Sequence, residues 1–499
     1  MNLDDYRNLD GLAMAELLEK GETTSHALTR CAIDLAEAWD PTLNAITYPR
    51  YEESLDIARD WQPRGAFRGI PFLLKDSGFA HRRFPSSIGS RLFDDTVYPF
   101  DATVAGRFEA AGLIPFARST VSELCMGAST EARRNGAPTR NPWDLGRSVG
   151  GSSGGAAAAV AARIVPVAHG SDGGGSIRIP AACCGVYGLK PSRGRVPMGP
   201  ARGEGWGGMA SDGVLSVTVR DTAAAMDAIG GYEPGAPYAS PPQPEPYLEV
   251  VRRAQRLDDA TGATGATGGA GALGKGRLRI GILREGWNGI GIAPECDAAV
   301  THAARLLASL GHDVAEARLP VLDYSGFVIA HGNILATNVA LAVDTKLKAL
   351  DRAMRDDDIE PVLAKAYVIG KGLDAATYVD AVQRLHAIGR AFAAAMRDYD
   401  LLLTPTLTTL PAELGYLALD VDLPFREFRE RAAGYATFLA VINAAGLPAA
   451  SLPLSWTDAG LPVATQLIGH FGREDMVLAV SAQLEALAPW SQRKPTLAG

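Results

Sequence analysis

The stretch that decides the fold runs from residue 148 to residue 197 and reads SVGGSSGGAAAAVAARIVPVAHGSDGGGSIRIPAACCGVYGLKPSRGRVP. Its alanine run has strong helix propensity, and the apolar segment IVPVAHG that follows is typical of a buried strand. Glycine- and serine-rich segments are commonest in linkers, but GGSSGG and GSDGGGSIRIP run directly into apolar residues. They are therefore predicted to lie inside the core, where glycine lets the backbone approach a ligand closely.

The segments on either side of this stretch alternate between helix and strand patterns. Upstream, apolar spacing predicts two helices within residues 4–38, the second capped by Thr24 or Ser25. The other predicted elements are the strand GIPFLLK ending at Lys75, a helix over 101–112 with an Asp101 cap, the strands LIPFA and RLRIGIL, a helix over 296–314 closed by Gly311, further helices from about 330 to 398, and the strands DLLLTPTL and AASLPLSW. This alternation predicts an α/β fold.

Composition and charge narrow the class of protein. With 47% hydrophobic and 21% charged residues, the chain of 499 residues has enough apolar side chains for a large core. A formal net charge of -8 gives no basic footprint, which argues against nucleic acid or an anionic membrane as the main partner and favours a small-molecule substrate, neutral or cationic. The N-terminal residues MNLDDYRNLDGLAMAELLEKGE show no basic region followed by an apolar run, so we expect a cytoplasmic protein.

Neither a metal site nor a cofactor site is predicted. The five cysteines, Cys31, Cys125, Cys183, Cys184 and Cys296, show no paired ligand spacing, and we expect them to be buried free thiols. The Gly/Ala/Thr-rich run over about 257–276 has too few large apolar residues to form a core and is predicted to be a flexible loop.

The chemistry in the central stretch begins with a serine. The run from Gly173 to Ser176 can turn several backbone N–H groups toward one point, which is the geometry that holds an oxyanion beside a serine nucleophile. Acyl transfer by Ser176 is therefore a chemically sensible function. Ser152 and Ser153 precede the alanine-rich helix, so for them a helix cap is an equally simple interpretation.

A serine nucleophile needs a base, and two candidates stand in the sequence. His169 lies seven residues before Ser176, with Asp172 close by, but such nearness along the chain seldom gives the side-chain geometry of a triad. Lys75 at the end of a buried strand is the alternative, because desolvation lowers the pKa of a buried lysine. Taken alone, Lys75 is equally the pattern of an ordinary ion-paired lysine.

The segments GIPFLLKDSG, GGSSGG and GSDGGGSIRIPAACCGVYGLKPSRGRVP resemble the amidase signature family in order, spacing and residue type. RNPWDLGRSVGG, DLLLTPTL and INAAGLPAASLPL extend this resemblance over nearly all of the chain. It implies a single domain over residues 1–499 with its signature region at about 65–200, built on one large mixed β-sheet with α-helices on both faces. It also implies hydrolysis of C–N bonds in small amides.

The resemblance further implies a role for each residue of the motifs. Ser176 falls on the nucleophile, Ser152 on a bridging serine and Lys75 on the base of a Ser–cis-Ser–Lys triad, with a cis peptide between Gly151 and Ser152. The expected oxyanion donors are the backbone N–H groups of Gly173, Gly174, Gly175 and Ser176. Ser153 and Asp172 are expected to support the relay by hydrogen bonds, or to act as a helix cap and a turn-stabilising carboxylate. His169 becomes a strand-end residue and Arg178 an ion-pair partner.

Substrate specificity is harder to predict. RNPWDLGRSVGGSSGG, PVAHG and GREDMVLAVSAQLEALAPW resemble a branch that includes hydrolases of the aminohexanoate cyclic dimer, aryl-acylamidases and carbamate-cleaving enzymes, so linear or cyclic amides, anilides and carbamates are all candidate substrates. We expect the pocket near Met126, Gly127, the segment from Met198 to Met209, and a helix containing Ile329 and Asn333. That helix has no cysteine, whereas the dimer hydrolases are expected to place one near it.

Two other functions fit parts of this sequence. The subunit of glutaminyl-tRNA amidotransferase that releases ammonia shares the signature, but it works with partner subunits. A catalytically silent amidase-like binding protein is the other alternative, against which all three relay residues are present. The sequence leaves open whether the protein is a homodimer.

Overall fold

A mixed β-sheet of eleven strands forms the centre of the computed structural model, which describes residues 1–256 and 276–497. The strand order is β1-β3-β2-β6-β8-β7-β12-β13-β11-β9-β10, and β4 and β5 form a separate antiparallel pair. Parallel neighbours are β3/β2, β2/β6, β11/β9 and β9/β10, and the remaining neighbours are antiparallel. The strands are β1 (Ile46–Thr47), β2 (Ile70–Lys75), β3 (Leu113–Ser119), β4 (Arg140–Asn141), β5 (Asp144–Ser148), β6 (Val167–Asp172), β7 (Tyr187–Lys190), β8 (Ser211–Ser216), β9 (Arg279–Ile282), β10 (Asp313–Glu316), β11 (Leu401–Pro405), β12 (Ala449–Trp456) and β13 (Pro462–Gly469).

Helices cover both faces of this sheet, which confirms the predicted α/β class. They are α1 (Leu3–Arg7), α2 (Gly11–Glu19), α3 (Ser25–Leu43), α4 (Tyr51–Arg59), α5 (Thr103–Ala110), α6 (Gly154–Ala161), α7 (Arg178–Cys184), α8 (Val219–Ile229), α9 (Tyr247–Gln255), α10 (Pro294–Ser309), α11 (Tyr324–Ala349), α12 (Pro361–Gly372), α13 (Ala375–Ala395), α14 (Phe425–Tyr435), α15 (Ala440–Ala445) and α16 (Glu474–Leu487). Helices α11 to α15 pack on one another, and α11, α14 and α15 carry much of the wall of the functional site.

The alanine-rich helix α6 lies in the middle of the core. Every residue from Gly154 to Ala161 is buried, and the helix contacts β2, β3, β6 and β8 as well as α7. Small side chains let a helix approach neighbouring backbone closely, so the run GGAAAAVA fits a position with no solvent-facing side. The central prediction, that this stretch belongs to the core and is no linker, is confirmed.

Most predicted elements are present, with local corrections. Thr24 is the cap of α3, since its side chain accepts a hydrogen bond from the N–H of Ala27. Asp101 does not cap α5: the helix begins at Thr103 without a side-chain cap, and Asp101 instead accepts a hydrogen bond from the N–H of Arg82 at 2.7 Å. Local sequence cannot show that a distant backbone N–H takes the carboxylate.

One region contains a helix that the sequence did not predict, and most of another lies outside the described residues. The Pro-rich segment after residue 233 contains α9, an unpredicted helix whose Tyr247, Val250 and Val251 are buried. The predicted flexible loop over 257–276 lies, except for residue 276, outside the described residues.

Within residues 1–256 and 276–497, one helix, α11, is long and apolar enough to cross a membrane by length and composition alone. More than half of its apolar window is buried against the rest of the protein, chiefly α12 and α13. All five cysteines are free and buried, as predicted.

Two glycine substitutions test the close packing of α6. A Cβ on Gly155 would stand 2.5 Å from the carbonyl oxygen of Ala45 and from the backbone nitrogen of Thr120, so we expect Gly155→Ala to lower the free energy of unfolding by about 3 kcal/mol. The matched control is Gly434→Ala in α14, where the new methyl group meets no atom within 4 Å and should stabilise the fold by about 1 kcal/mol. Urea denaturation measures both changes; a neutral Gly155→Ala would contradict the close packing.

Candidate active site

One strand end and two loops bring Lys75, Ser152 and Ser176 into one region. Lys75 is the last residue of β2, which pairs with β6 through Leu73 and Ala168. Ser152 lies in the loop before α6 and Ser176 in the loop after β6. The N–H of Ser153 donates to the carbonyl oxygen of Ser176 at 3.2 Å, which ties the two loops together, and the peptide between Gly151 and Ser152 is cis.

Lys75 is completely buried without an acidic partner. Its Nζ lies 2.8 Å from Ser152 Oγ, 2.8 Å from Ser171 Oγ and 3.2 Å from the Ser171 carbonyl oxygen. Among the described residues, no carboxylate lies within ion-pair distance of this amine, so the ordinary ion-paired lysine is not what the structure contains. Burial lowers the pKa of Lys75 from the usual 10.5, because desolvation disfavours the ammonium form.

Ser171 is a residue that the sequence reasoning missed. It precedes Asp172 on β6, and both its hydroxyl and its carbonyl accept hydrogen bonds from Lys75. Two residues upstream on the same strand, His169 accepts the backbone N–H of Lys75 through Nδ1 at 3.2 Å. The strand period of two places Ser171 and His169 on one side of β6, and this period was the available signal.

Ser153 supports this arrangement and makes no helix cap. It stands at the position before α6, but its side chain forms no capping bond. Its hydroxyl instead donates to the carbonyl oxygen of Ser171 at 3.2 Å and lies 3.3 Å from the Ser171 N–H, which donates to it. Ser153 therefore holds the strand end that contacts the Lys75 amine.

Asp172 shapes the loop that carries Ser176. Its carboxylate accepts hydrogen bonds from the N–H groups of Gly175 at 2.7 Å and Ile177 at 3.1 Å, and it forms a fully buried ion pair with Arg178 at 3.0 Å. The Arg178 guanidinium holds the pKa of Asp172 well below its usual range. The predicted ion pair of Arg178 is thus confirmed, and Asn443 of α15, which donates to Asp172 Oδ1 at 2.9 Å, is a further partner that the sequence did not indicate.

The same contact corrects one of the four predicted oxyanion donors. Because the Gly175 N–H already donates to Asp172, it is not free to bind a substrate oxygen. The N–H groups of Gly173, Gly174 and Ser176 donate to no acceptor among the described residues. Gly175 has φ +124, which favours glycine, and a Cβ on Gly173 would collide with the ring of Trp206.

His169 does not contact the serine. Its Nε2 lies 3.2 Å from Asp212 Oδ1 and its ring packs on Phe79, so both nitrogens are engaged away from Ser176. It lies within β6, which continues to Asp172, and so is not the strand-end residue that was predicted. A His–Asp triad is therefore not present at this site.

A largely apolar cavity opens beside Ser176. Two predicted pocket residues, Met126 and Gly127, line it, and so does Trp206 from the predicted segment 198–209. The other lining residues include Cys125, Gly174, Ile179, Tyr324, Phe327, Val328, His331, Leu335, Arg429, Ala432, Ala436 and Ala440. Ser176 itself is 8% exposed, and its hydroxyl bonds to no described residue.

Three predicted pocket residues lie elsewhere. Met198 lines a separate surface cavity with Glu233 and Tyr238. Ile329 is 52% exposed, and together with Asn333 it faces a different cavity beside Phe425. Helix α11 does line the cavity, as predicted, but the prediction took the wrong face of the helix. The residues that face the cavity follow helical spacing from Tyr324 through Phe327 and His331 to Leu335.

The chain is similar to known proteins along nearly its whole length. The family model described as Amidase matches residues 27–478. This chain belongs to the amidase family. The amidase is 34% identical to the 6-aminohexanoate-cyclic-dimer hydrolase of Paenarthrobacter ureafaciens over 98% of this chain and 96% of that protein. A solved structure of 6-aminohexanoate cyclic dimer hydrolase matches with a TM-score of 0.87 at 32% identity, covering 99% of both chains, and a bacterial aryl acylamidase of the amidase signature family matches with 0.84 at 26% identity, covering 97% of both.

This membership makes the amidase a hydrolase of amide C–N bonds. Within residues 1–256 and 276–497, no group of three His, Cys, Asp or Glu side chains is arranged to hold a metal ion.

The ion pair beneath the serine loop can be tested by stability. Asp172→Asn leaves the buried Arg178 guanidinium without its carboxylate, so we expect the free energy of unfolding to fall by about 3 kcal/mol. The double variant Asp172→Asn/Arg178→Met removes both charges and should recover part of that loss. Urea denaturation of the three proteins measures the coupling; additive losses would show that the two residues do not stabilise the loop as a pair.

Proposed function

We propose that this amidase cleaves small amides through a covalent acyl-enzyme on Ser176, with Ser152 and Lys75 as the proton relay. The observation that carries the proposal is the buried Lys75 amine, 2.8 Å from Ser152 Oγ and without a carboxylate partner among the described residues. A lysine held in this way is a poor cation and a competent general base.

Acylation begins when Ser176 Oγ attacks the amide carbonyl carbon. The Ser176 proton passes to Ser152 Oγ while the proton of Ser152 passes to Lys75 Nζ, so a C–O bond forms and the carbonyl oxygen becomes an oxyanion. We propose the N–H groups of Gly173, Gly174 and Ser176 as its donors, since Gly175 is bonded to Asp172. Loss of one such donor costs about 3 kcal/mol in other acyl-transfer enzymes, so the shape of this loop matters.

Breakdown of the intermediate uses the relay in the opposite direction. The C–N bond breaks and the proton held by Lys75 returns through Ser152 to the leaving amine. Water then attacks the ester on Ser176, again giving up a proton through Ser152 to Lys75, and the carboxylic acid is released as Ser176 regains its proton. Ser171 and Ser153 act as positioning residues for the lysine amine.

The cavity narrows the proposed substrate. Its described lining carries the Arg429 guanidinium and no carboxylate, which disfavours a cationic group in the cavity. Of the neutral and cationic substrates that the composition of the chain favoured, the cavity therefore disfavours the cationic ones. Similarity to a cyclic-dimer hydrolase and an aryl acylamidase supports small linear or cyclic amides and anilides. We further propose that the protein is a single domain acting in the cytoplasm, without nucleic acid or membrane as partner.

Active-site labelling tests the nucleophile. A fluorophosphonate probe should label the native protein once, on Ser176, and Ser176→Ala should abolish both labelling and anilide hydrolysis. Since the relay acts as a unit, Ser152→Ala and Lys75→Met should each lower kcat by about 10³-fold or more. Ser309→Ala, which changes an exposed serine at the end of α10, is the matched control and should behave like the native protein.

Two results would overturn parts of the proposal separately. A native protein that does not react with the probe would sink the serine mechanism and favour a silent binding protein, whereas labelling at another residue would show that Ser176 is not the nucleophile. A Lys75→Met variant that keeps most of its activity would refute the relay while leaving Ser176 in place.

A further inference from the structure

The cavity beside Ser176 contains a buried histidine that the proposed chemistry does not use. His331 of α11 is 2% exposed and lines the cavity together with Gly174 and Ser176. Its Cε1 and Nε2 are the ring atoms nearest Gly174, 3.2 and 3.8 Å from the place where a Cβ on that glycine would stand. The imidazole edge therefore faces the loop that carries the nucleophile.

The hydrogen bonds of His331 determine where its proton lies. Arg429 donates from Nη2 to His331 Nδ1 at 3.0 Å, so Nδ1 acts as an acceptor and the neutral ring carries its proton on Nε2. Burial and the neighbouring guanidinium hold the pKa of His331 well below 6.5, which keeps the ring neutral. Nε2 is buried and has no hydrogen-bond partner among the residues that the structure describes.

A buried donor without a partner costs about 1 to 3 kcal/mol, and native proteins rarely retain one without a use. No acceptor among the described residues lies within hydrogen-bond distance of Nε2, and Phe327 only stacks on the imidazole, at 5.7 Å between ring centroids. Arg429 adds a second unsatisfied donor, since its Nε is buried without a partner as well. Both groups lie in an otherwise apolar wall, and both are donors. A ligand group that pairs with either of them must therefore be a hydrogen-bond acceptor.

We propose that His331 Nε2, backed by Arg429, is a substrate-recognition site for an acceptor oxygen on the acyl group, in addition to the carbonyl that is cleaved. The inference rests on the proposed function, because the acyl group stays bonded to Ser176 after the amine has left and so occupies the cavity that Ser176 lines. The favoured substrates are then amides whose acyl chain carries a second carbonyl or a carboxylate. Plain alkyl amides leave the His331 donor buried and unpaired, and they bind less well.

Matched p-nitroanilides of pentanoic, 4-oxopentanoic and glutaric acid provide the test. They present to the cavity an apolar chain, a neutral carbonyl and a carboxylate, respectively. We expect kcat/KM for at least one oxygen-bearing substrate to exceed that for the pentanoyl substrate by about tenfold, the value of one hydrogen bond that only this substrate can make. A preference for the glutaryl substrate that weakens with salt identifies the carboxylate, read partly by the charge of Arg429; a preference for the 4-oxopentanoyl substrate alone identifies a neutral carbonyl.

The variant His331→Phe removes the donor but can retain the stacking on Phe327. We expect it to reduce the preference for the oxygen-bearing substrate to about twofold or less. The control Tyr324→Phe removes a hydroxyl of the same wall that is already bonded to Ala433, and it should leave the preference near its native value. A purely structural role of His331 would lower kcat/KM for all three substrates by the same factor, and that result would overturn the proposal.

Protection from fluorophosphonate labelling repeats the comparison without turnover and also covers the case in which His331→Phe does not fold. In the native protein, 4-oxopentanamide or glutaramate should slow labelling of Ser176 at concentrations about tenfold lower than pentanamide does. Equal protection by all three amides would overturn the recognition site while leaving the serine mechanism intact. Absence of labelling would instead contradict the proposed function itself.

Discussion

The burial of one amine without a carboxylate is the constraint on which the rest of the site depends. Lys75 ends β2, an inner strand that lies between β3 and β6, and among the described residues its Nζ bonds only to the oxygen atoms of Ser152 and Ser171. Taking an ammonium group out of water without an opposing charge is costly, and the cost falls when the amine loses its proton. The fold thereby lowers the pKa of an amine that lies next to a serine hydroxyl, which is the property that the proposed role of Lys75 as the base requires.

Another buried basic side chain in the same core, Arg178, does have a carboxylate partner. Arg178 is paired with Asp172, and that carboxylate also accepts the N–H groups of Gly175 and Ile177. The ion pair is therefore part of the loop that positions Ser176. Its carboxylate also occupies the N–H group of Gly175, which is one of the four backbone donors in the run from Gly173 to Ser176. The Lys75 amine has no carboxylate partner among the described residues, whereas the Arg178 guanidinium is paired with one that also fixes the backbone around it.

Much of this was predictable from the sequence, because it depends on local pattern. Helix and strand spacing indicated an α/β fold, and the motifs around Lys75, Ser152 and Ser176 indicated which residues meet. The predictions that were wrong depend on contacts between residues distant in sequence, or on which face of a helix points into the cavity. Asp101 was expected to cap its own helix, and Ile329 and Asn333 were expected in the cavity. Arg429, which lies 98 residues from His331, contributes to a recognition site that no local pattern could reveal.

The titration of Lys75 tests its proposed role as the base most directly. NMR of the protein with ¹³C-labelled lysine can follow the Cε signal that disappears in Lys75→Met, which separates it from Lys190, the other buried amine among the described residues. We expect a midpoint below the usual lysine value of 10.5, coinciding with the midpoint at which kcat/KM rises as the pH increases and the amine becomes neutral. A Lys75 signal that titrates at or above 10.5, or a rate profile that follows a different group, would contradict the role of Lys75 as the base.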